Sequence, residues 1–280
     1  MEITQLQNIA TQVRRDIVRM VNGAKSGHPG GSLGCADFMT ALYFQIMDIN
    51  PDAFTKEGIN EDMFFLSNGH ISPLLYSVMA RRGFFPVAEL ATFRKLHTRL
   101  QGHPTPVEGL PGIRVASGSL GQGVSVAIGA ALAKKANNDN HIVYALTGDG
   151  ELEEGQVWEA FMFAAAKNVD NLIVTIDYNG KQIDGPVDAV LSLGKLRSKL
   201  ESFGWLVLEM NGNDMKQCVQ TLTLAKTLAH NQKPVVIIMK TEMGQGVDFM
   251  MGTHKWHGSA PNDEQTAAAL AQLPVTLGDY

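Results

Sequence analysis

The sequence predicts an α/β protein built on a mostly parallel sheet with helices on both faces. Three short apolar runs are rich in β-branched residues and do not alternate with polar ones, as in strands buried on both faces; they cover residues 141–146, 171–177 and 234–239. Segments with helical periodicity separate these runs. Because strands that alternate with helices form parallel sheets covered by the connecting helices, this order predicts the layered fold.

The first 70 residues predict two helices and a strand. Apolar residues recur every four positions between 9 and 21, which favours a helix that ends at the glycine-rich stretch 23–34. A second helix is expected over residues 35–47. The short apolar run 63–66 favours a strand, and the turn after it places His70 at the carboxyl end of that strand.

The rest of the chain adds three helical patterns and one further strand. The helices are expected over residues 121–135, 155–168 and 213–230, the last with Asn213 or Asp214 as its N-cap, and the additional strand over 203–210. No internal repeat or flexible linker divides the chain, so we expect a single domain over residues 1–280, with an irregular tail from about residue 244.

Composition excludes several classes of protein. The 280 residues contain 23 Lys and Arg against 28 Asp and Glu, a net charge of −5, which argues against a nucleic-acid partner. A hydrophobic content of 45% excludes a disordered chain. Charged residues make up only 18%, below the usual ~25% of soluble domains. We therefore expect part of the surface to be covered in an assembly.

The chain shows no sign of a disulfide framework, a zinc site or a membrane segment. Its two cysteines, Cys35 and Cys218, are far apart and have no partner at metal-ligand spacing. The N-terminus is amphipathic and lacks the pattern of a signal peptide, and no apolar window approaches the ~18 residues that span a bilayer. These features predict a soluble, cytoplasmic protein with no membrane partner.

Polar residues follow two neighbouring strands of the predicted sheet. Asp149 lies between two glycines directly after one strand, and Asn179 follows the next strand. Carboxylate and amide oxygens beside a diphosphate suit Mg²⁺. The motif Gly-Asp-Gly alone is a weak signal and rather favours a tight turn in which the aspartate binds its own backbone. The second strand, with Asn179 at the same sheet edge, favours a magnesium diphosphate site.

The Gly-Asp-Gly motif followed at this spacing by an asparagine resembles the thiamine diphosphate signature. Six segments, in this order, resemble the N-terminal diphosphate-binding domain of transketolase: AKSGHPGGSLG at 24–34, LSNGH at 66–70, GHP at 102–104, SGSLGQG at 117–123, GDGELEEGQVWEA at 148–160 and WHGSAP at 256–261. The resemblance covers nearly the whole chain. Since only this half of a transketolase is present, the chain resembles the N-terminal subunit of a split, two-chain enzyme.

The resemblance implies a cofactor site for thiamine diphosphate with Mg²⁺, or with Ca²⁺ or Mn²⁺ in its place. The metal ligands that it implies are the side chains of Asp149 and Asn179 and the backbone carbonyl of Lys181. The cofactor contacts that it implies are His70 and Gly150 at the diphosphate, His257 at diphosphate and substrate, the carbonyls of Gly118 and Leu120 at the aminopyrimidine, and Glu154 near the cofactor at a dimer interface.

Four histidines, His28, His70, His103 and His257, lie next to glycine in loops. A single loop histidine is usually a surface residue, but all four match positions of the family. With a pKa near 6.5, imidazole can bind ketose hydroxyls and transfer protons at neutral pH. We expect His28, His103 and His257 to be catalytic. The remaining histidines, His97, His141, His230 and His254, are interpreted as structural or exposed.

Two glutamates of the same motif have a simpler interpretation. Glu151 and Glu153 precede the helix that is expected to begin at residue 155. Acidic residues near a helix N-terminus are stabilised by the helix dipole. We therefore expect Glu151 and Glu153 to complement this dipole rather than to serve the site.

The implied activity is transfer of a two-carbon ketol unit from a ketose, expected to be phosphorylated, to an aldose, as in carbohydrate and pentose phosphate metabolism. In full-length transketolases, the glutamate that activates the cofactor belongs to the pyrimidine-binding domain that follows this one. The 280 residues are not expected to include such a domain. We expect a C-terminal transketolase subunit to supply it, with two copies of each chain in an α2β2 heterotetramer.

Other functions stay open on the sequence alone. The alpha subunit of a 2-oxo acid dehydrogenase also has a Gly-Asp-Gly metal site and needs a partner, but its loops fit less well. A deoxyxylulose-phosphate synthase would differ in the loop 117–123. The chain could also be an inactive paralogue that acts as a scaffold. The intact pair Asp149 and Asn179, together with the four histidines, argues against that hypothesis.

Overall fold

The computed structural model describes residues 1–280 and contains one five-stranded parallel sheet. The strands are β1 (Met63–Leu66), β2 (Val143–Gly148), β3 (Leu172–Tyr178), β4 (Lys181–Gln182), β5 (Gly185–Pro186), β6 (Leu206–Asn211) and β7 (Val235–Lys240). The order in the sheet is β1-β2-β3-β7-β6, while β4 and β5 form a small antiparallel hairpin. All pairs of the large sheet are parallel, so the predicted sheet is confirmed.

Ten α-helices surround the sheet. They are α1 (Ile3–Ala24), α2 (Pro29–Gly34), α3 (Ala36–Ala41), α4 (Ser72–Arg82), α5 (Gln122–Ala136), α6 (Gly155–Ala166), α7 (Val187–Val190), α8 (Leu196–Ser202), α9 (Met215–Leu228) and α10 (Asp263–Gln272). A π-helical turn, Leu42–Ile46, continues α3. No helix combines the length and the apolar character that crossing a bilayer requires.

The two faces of the sheet belong to two separate apolar cores. Successive residues of a strand point to opposite faces. Accordingly, Tyr144 and Leu146 of β2 pack into the core that contains α1, α3, α4 and α9. Their neighbours Val143 and Ala145 pack into the core that contains α5, α6 and α8. The prediction of helices on both faces is therefore confirmed, and strands buried on both sides explain the uninterrupted apolar runs.

The second helix begins earlier than predicted, because the glycine-rich stretch contains the helix α2. Glycine normally weakens a helix. Here it allows close packing: a Cβ on Gly30 would lie 2.6 Å from Cγ of Met243 and 2.8 Å from the carbonyl oxygen of Trp256. The Gly30 amide donates to that same carbonyl at 3.0 Å. Tertiary contacts with the C-terminal segment thus stabilise a helix that local propensity does not favour.

The sequence predicts an irregular tail after residue 244, but the structure contains the helix α10 in this segment. Asn262 caps this helix by accepting from the backbone N–H of Gln265, and the Gln265 side chain accepts from the backbone of Asn262 in return. Such a reciprocal capping box is a helix start signal. The sequence Asn262-Asp263-Glu264-Gln265 carries that signal, so the helix could have been predicted.

Capping also decides between the two candidate residues at the start of α9. Asp214 is the N-cap, because its carboxylate accepts from the backbone N–H groups of Lys216 and Gln217. Asn213 instead donates to the carbonyl of Gly34 at 2.8 Å and accepts from the backbone N–H of Glu242 at 2.7 Å. This amide ties the segment after β7 to the end of α2, at the edge of the sheet where the strands end.

Candidate active site

An open cleft lies at the carboxyl ends of β1, β2 and β3, and its cavity volume is about 200 Å³. Nine residues predicted from the sequence line it: His28, His70, Gly118, Leu120, Asp149, Gly150, Asn179, Lys181 and His257. Parallel sheets bind ligands at this edge, because the loops that follow the strands meet there. The structure therefore brings most of the predicted site residues into one cleft.

Asp149 is one of three buried carboxylates that line the cleft, and 2% of its surface is exposed. It follows β2, and its own N–H donates to the carbonyl of Asp177 on β3 at 3.1 Å. Its two oxygens accept from the backbone N–H groups of Gly150 at 2.8 Å and Gly180 at 2.5 Å. Burial, and then the charge of Asp177, raises the pKa of Asp149 to about 7. A dication beside it would favour its charged form.

Asn179 presents an oriented amide beside Asp149. Its Nδ2 donates to Oδ2 of Asp177 at 2.9 Å, and its Oδ1 accepts from the backbone N–H of Lys181 at 2.9 Å. The carboxylate of Asp177 can accept only, so it fixes which end of the amide is nitrogen. The ammonium of Lys181 is engaged with Oε1 of Glu242 at 2.9 Å. A ligand from Lys181 to a bound group would therefore come from its main chain.

Asp177 itself was not singled out by sequence reasoning as a site residue. It ends β3, is 2% exposed and lines the cleft. It accepts from the hydroxyl of Thr241 and from the amide of Asn179. Burial raises its pKa. Its position as an aspartate at the end of an apolar strand is the sequence signal by which it could have been found. Its role in the structure is to hold Asn179 in place.

The four predicted histidines form one cluster. The ring centroid of His28 lies 5.1 Å from that of His70, 5.7 Å from that of His257 and 6.3 Å from that of His103. The rings of His70 and His257 are 5.0 Å apart. His103 is exposed and lies beside the cleft rather than in its lining.

All four histidines favour the neutral form. Desolvation by the surrounding protein is the main cause in each case, even for the more exposed His103. It lowers the pKa of His70, His103 and His257, and that of His28 to about 4. Neighbouring histidines contribute in the same direction for His28 and His70. At neutral pH each imidazole can therefore donate from one nitrogen and accept at the other. Four neutral imidazoles suit the recognition of a ligand with several hydroxyl groups.

Two polar atoms of the cleft lining have no protein partner. Nδ1 of His28 and Oδ1 of Asn68 are both buried and unpaired. Buried polar atoms are normally hydrogen-bonded, and an unpaired one needs an explanation. A polar ligand in the cleft would satisfy both. Oδ1 of Asn68 can only accept, so it would need a donor such as a hydroxyl group or a water on a bound cation, whereas a diphosphate oxygen would need a donor such as Nδ1–H of His28. The buried carboxylate of Asp149 suits a divalent cation beside such a diphosphate.

Gly118 has two structural reasons to be glycine. Its φ of +130° is disfavoured for other residues, and a Cβ would lie 2.9 Å from Cδ2 of His103. The ring of His103 already occupies the space that a Cβ would need.

The interpretation of Glu151 and Glu153 as complements of a helix dipole is wrong for Glu151. Glu151 is 2% exposed, and its carboxylate accepts from Ser67 and Gly121 in two other loops. Glu153 accepts from Nε2 of Gln182 at 2.8 Å. Glu154 is the exposed N-cap residue of α6 and does not line the cleft of this chain.

The fold and this cleft define a class of α/β domains that bind a diphosphate cofactor at the carboxyl edge of a parallel sheet. Residues 5–276 match the family "Transketolase, thiamine diphosphate binding domain". The chain belongs to this family.

Among its relatives are chains of similar length that are named as parts of larger enzymes. The chain is 39% identical to one subunit of the apulose-4-phosphate transketolase of Phocaeicola vulgatus, over 98% of this chain and 95% of that one. It is 37% identical to SqwG, a subunit of the 6-deoxy-6-sulfo-D-fructose transketolase of a Clostridium species, over 96% of both chains.

Solved transketolases share the fold. The transketolase of Campylobacter jejuni matches with a TM-score of 0.88 and 36% identity, over 98% of this chain and 43% of that one. The transketolase of Leishmania mexicana matches with a TM-score of 0.90 and 29% identity, over 100% of this chain and 42% of that one. The chain thus spans about two fifths of the length of these transketolases.

Proposed function

We propose that this chain is the diphosphate-binding subunit of a two-chain transketolase. In this hypothesis it transfers a two-carbon ketol unit from a ketose to an aldose, with thiamine diphosphate and Mg²⁺ in the cleft described above. The observation that carries the proposal is the buried Asp149, placed beside Asn179 and beneath a cluster of four neutral histidines. Family membership supports the choice of cofactor.

The acidic end of the cleft would hold the metal and the diphosphate. Asp149, the side-chain oxygen of Asn179 and the carbonyl of Lys181 would bind Mg²⁺, or Ca²⁺ or Mn²⁺ in its place. His70 and the backbone of Gly150 would contact the diphosphate. The carbonyls of Gly118 and Leu120 would hold the aminopyrimidine. The bound cofactor supplies the electron sink on which cleavage of the ketose depends.

The histidines would bind the sugar and transfer protons to and from it. The ring centres of His103 and His257 lie 6.3 and 5.7 Å from that of His28, so a ketose bound beside His28 could present hydroxyl groups to all three. Because each imidazole is neutral, it can donate a hydrogen bond to one oxygen and accept a proton from another. We propose that these three residues are catalytic and that His257 also touches the diphosphate.

A partner chain would complete the active site. The two relatives above are named as subunits, which supports a second polypeptide. On this chain, Val126 of α5 and Met162 and Phe163 of α6 are 38%, 58% and 45% exposed. These neighbouring helices offer an apolar surface to a partner. We propose a C-terminal transketolase subunit with the pyrimidine-binding domain, in an α2β2 cytoplasmic assembly with Glu154 near the interface.

The names of the two relatives indicate the kind of ketose that donates the ketol unit. One is named for apulose 4-phosphate and the other for 6-deoxy-6-sulfo-D-fructose. Both sugars are ketoses that carry an anionic group. We propose a phosphorylated or sulfonated ketose as the donor for this chain. Lys181 is the only Lys or Arg that lines the cleft, and it is paired with Glu242, so the anionic group would be bound by the partner.

A reconstitution assay tests the proposed function. This chain is purified with and without the candidate pyrimidine-domain subunit and supplied with thiamine diphosphate and Mg²⁺. We expect transfer from phosphorylated or sulfonated ketoses to an aldose only when both chains are present. Decarboxylation of 2-oxo acids with no ketol transfer would favour a dehydrogenase subunit instead. Substantial turnover by this chain alone would contradict the two-chain proposal.

A further inference from the structure

We propose that Glu151 is a positioning residue whose carboxylate holds together three segments of the wall of the cofactor cleft. The inference deepens the proposed function and rests on it for the identity of the cofactor. Glu151 follows the Gly-Asp-Gly motif and is 2% exposed. It forms no ion pair with any lysine or arginine, so its charge is offset by hydrogen-bond donors.

Four donors converge on the two oxygens of this carboxylate. Oε1 accepts from the hydroxyl of Ser67 at 2.5 Å and from the backbone N–H of Gly121 at 2.7 Å. Oε2 accepts from the hydroxyl of Thr147 at 2.6 Å and from the backbone N–H of Gly148 at 3.1 Å. Hydrogen bonds to a charged acceptor are shorter and stronger than those between neutral groups.

Two of the donors belong to different parts of the cleft wall. Ser67 directly follows β1, three residues before His70. Gly121 ends the loop that contains Gly118 and Leu120.

The remaining two donors lie at the end of β2. Thr147 and Gly148 are its last two residues, directly before Asp149. A single side chain therefore sets the distances between the segments that would contact the diphosphate, the aminopyrimidine and the metal.

The chemistry of the four donors requires a carboxylate. Hydroxyl groups can rotate and accept instead, but the N–H groups of Gly121 and Gly148 cannot. Each of these two amides faces a different oxygen of Glu151. A glutamine would present its NH₂ group to one of them, whichever way the amide is turned. An aspartate is shorter by one methylene and could not span the same loops.

Ser67 also packs closely against the start of α5. A Cβ on Gly123, at the start of α5, would lie 2.6 Å from the backbone Cα of Ser67. The loop after β1 and the start of α5 are therefore in backbone contact. We therefore expect the loss of the carboxylate to appear as movement of the loop that contains Gly121, relative to this contact.

Glu151→Gln tests this role in the two-chain protein, with Glu57→Gln as the matched control, because Glu57 is exposed and distant from the cleft. The first measurement is amide hydrogen exchange without cofactor. We expect faster exchange at Gly121 and Gly148 in Glu151→Gln and unchanged exchange at Val174 in the core of β3. This readout depends only on the tether and not on the identity of the cofactor.

The second measurement is the affinity for thiamine diphosphate at saturating Mg²⁺. Loss of support behind metal ligands typically weakens binding by about 10–100-fold, and we expect a loss of this size in Glu151→Gln. Thr147→Val, which removes one donor and keeps the carboxylate, should give a smaller loss and serves as the test if Glu151→Gln does not fold.

Two outcomes separate the inference from the proposed function. Unchanged exchange at both glycines together with unchanged cofactor affinity would overturn the positioning role. Faster exchange at both glycines, in a protein whose unsubstituted form binds no thiamine diphosphate, would support the tether and contradict the proposed cofactor.

Discussion

Asp149→Ala is expected to abolish the metal-supported binding of thiamine diphosphate. Asp149 is buried, borders the cleft beside Asn179, and receives only two backbone N–H groups. Burial, and then the charge of Asp177, raises its pKa to about 7, and a bound dication would favour its charged form. Supporting residues behind a metal ligand are worth about 10–100-fold in affinity, so the loss of a ligand itself should exceed ~100-fold.

Isothermal titration calorimetry of the two-chain protein measures this effect. Thiamine diphosphate is titrated with Mg²⁺ and, separately, with a chelator in place of the metal. The unsubstituted protein should bind tightly only with Mg²⁺, whereas Asp149→Ala should bind weakly under both conditions. Asp188→Ala is the control, because Asp188 is exposed on α7. Equal affinity of Asp149→Ala and the unsubstituted protein with Mg²⁺ would refute the metal assignment.

The second large effect concerns turnover. His257→Ala and His103→Ala should each lower the rate of ketol transfer by about 10²–10⁴-fold, the usual contribution of a positioned proton-transfer group. Both rings lie close to His28, at 5.7 and 6.3 Å between centroids. Both residues lie in loops, so the fold should survive the substitutions. Cofactor affinity should change much less than turnover.

Steady-state kinetics with the partner subunit, combined with calorimetry, separates the two quantities. His97→Asn is a suitable control, because His97 is exposed in a loop and does not line the cleft. If His257→Ala and His103→Ala retain near-normal turnover, these histidines do not transfer protons in the reaction. If cofactor affinity falls as far as turnover, they act in binding rather than in catalysis.

The sheet could be predicted because buried parallel strands leave a strong local pattern. The run at 171–177, for example, agrees with β3 to within one residue at each end. The helix α2 could not be predicted in the same way. Its glycines have low helix propensity, and the contacts that stabilise it involve Met243 and Trp256, which are more than 200 residues away in the chain.

Some residues of the candidate site could likewise be predicted from the sequence and others could not. Asp149 and Asn179 could be found because their positions after neighbouring strands follow from chain order alone. The role of Glu151 could not, because a glutamate just before a helix has a local explanation in the helix dipole. Its partners Ser67 and Gly121 are brought to it only by tertiary structure. Local sequence patterns identify polar groups at strand ends. A carboxylate that connects several loops can be recognised only from the three-dimensional structure.

Anomalous diffraction can show whether the cleft beside Asp149 holds a divalent cation and thiamine diphosphate. Crystals of the two-chain protein are grown with thiamine diphosphate and Mn²⁺, and data are collected at the manganese absorption edge. We expect one anomalous peak in each such cleft, about 2.0–2.6 Å from Asp149, Asn179 and the carbonyl of Lys181, next to density for the diphosphate. A manganese peak elsewhere, or cofactor density outside this cleft, would contradict the proposed metal and cofactor site.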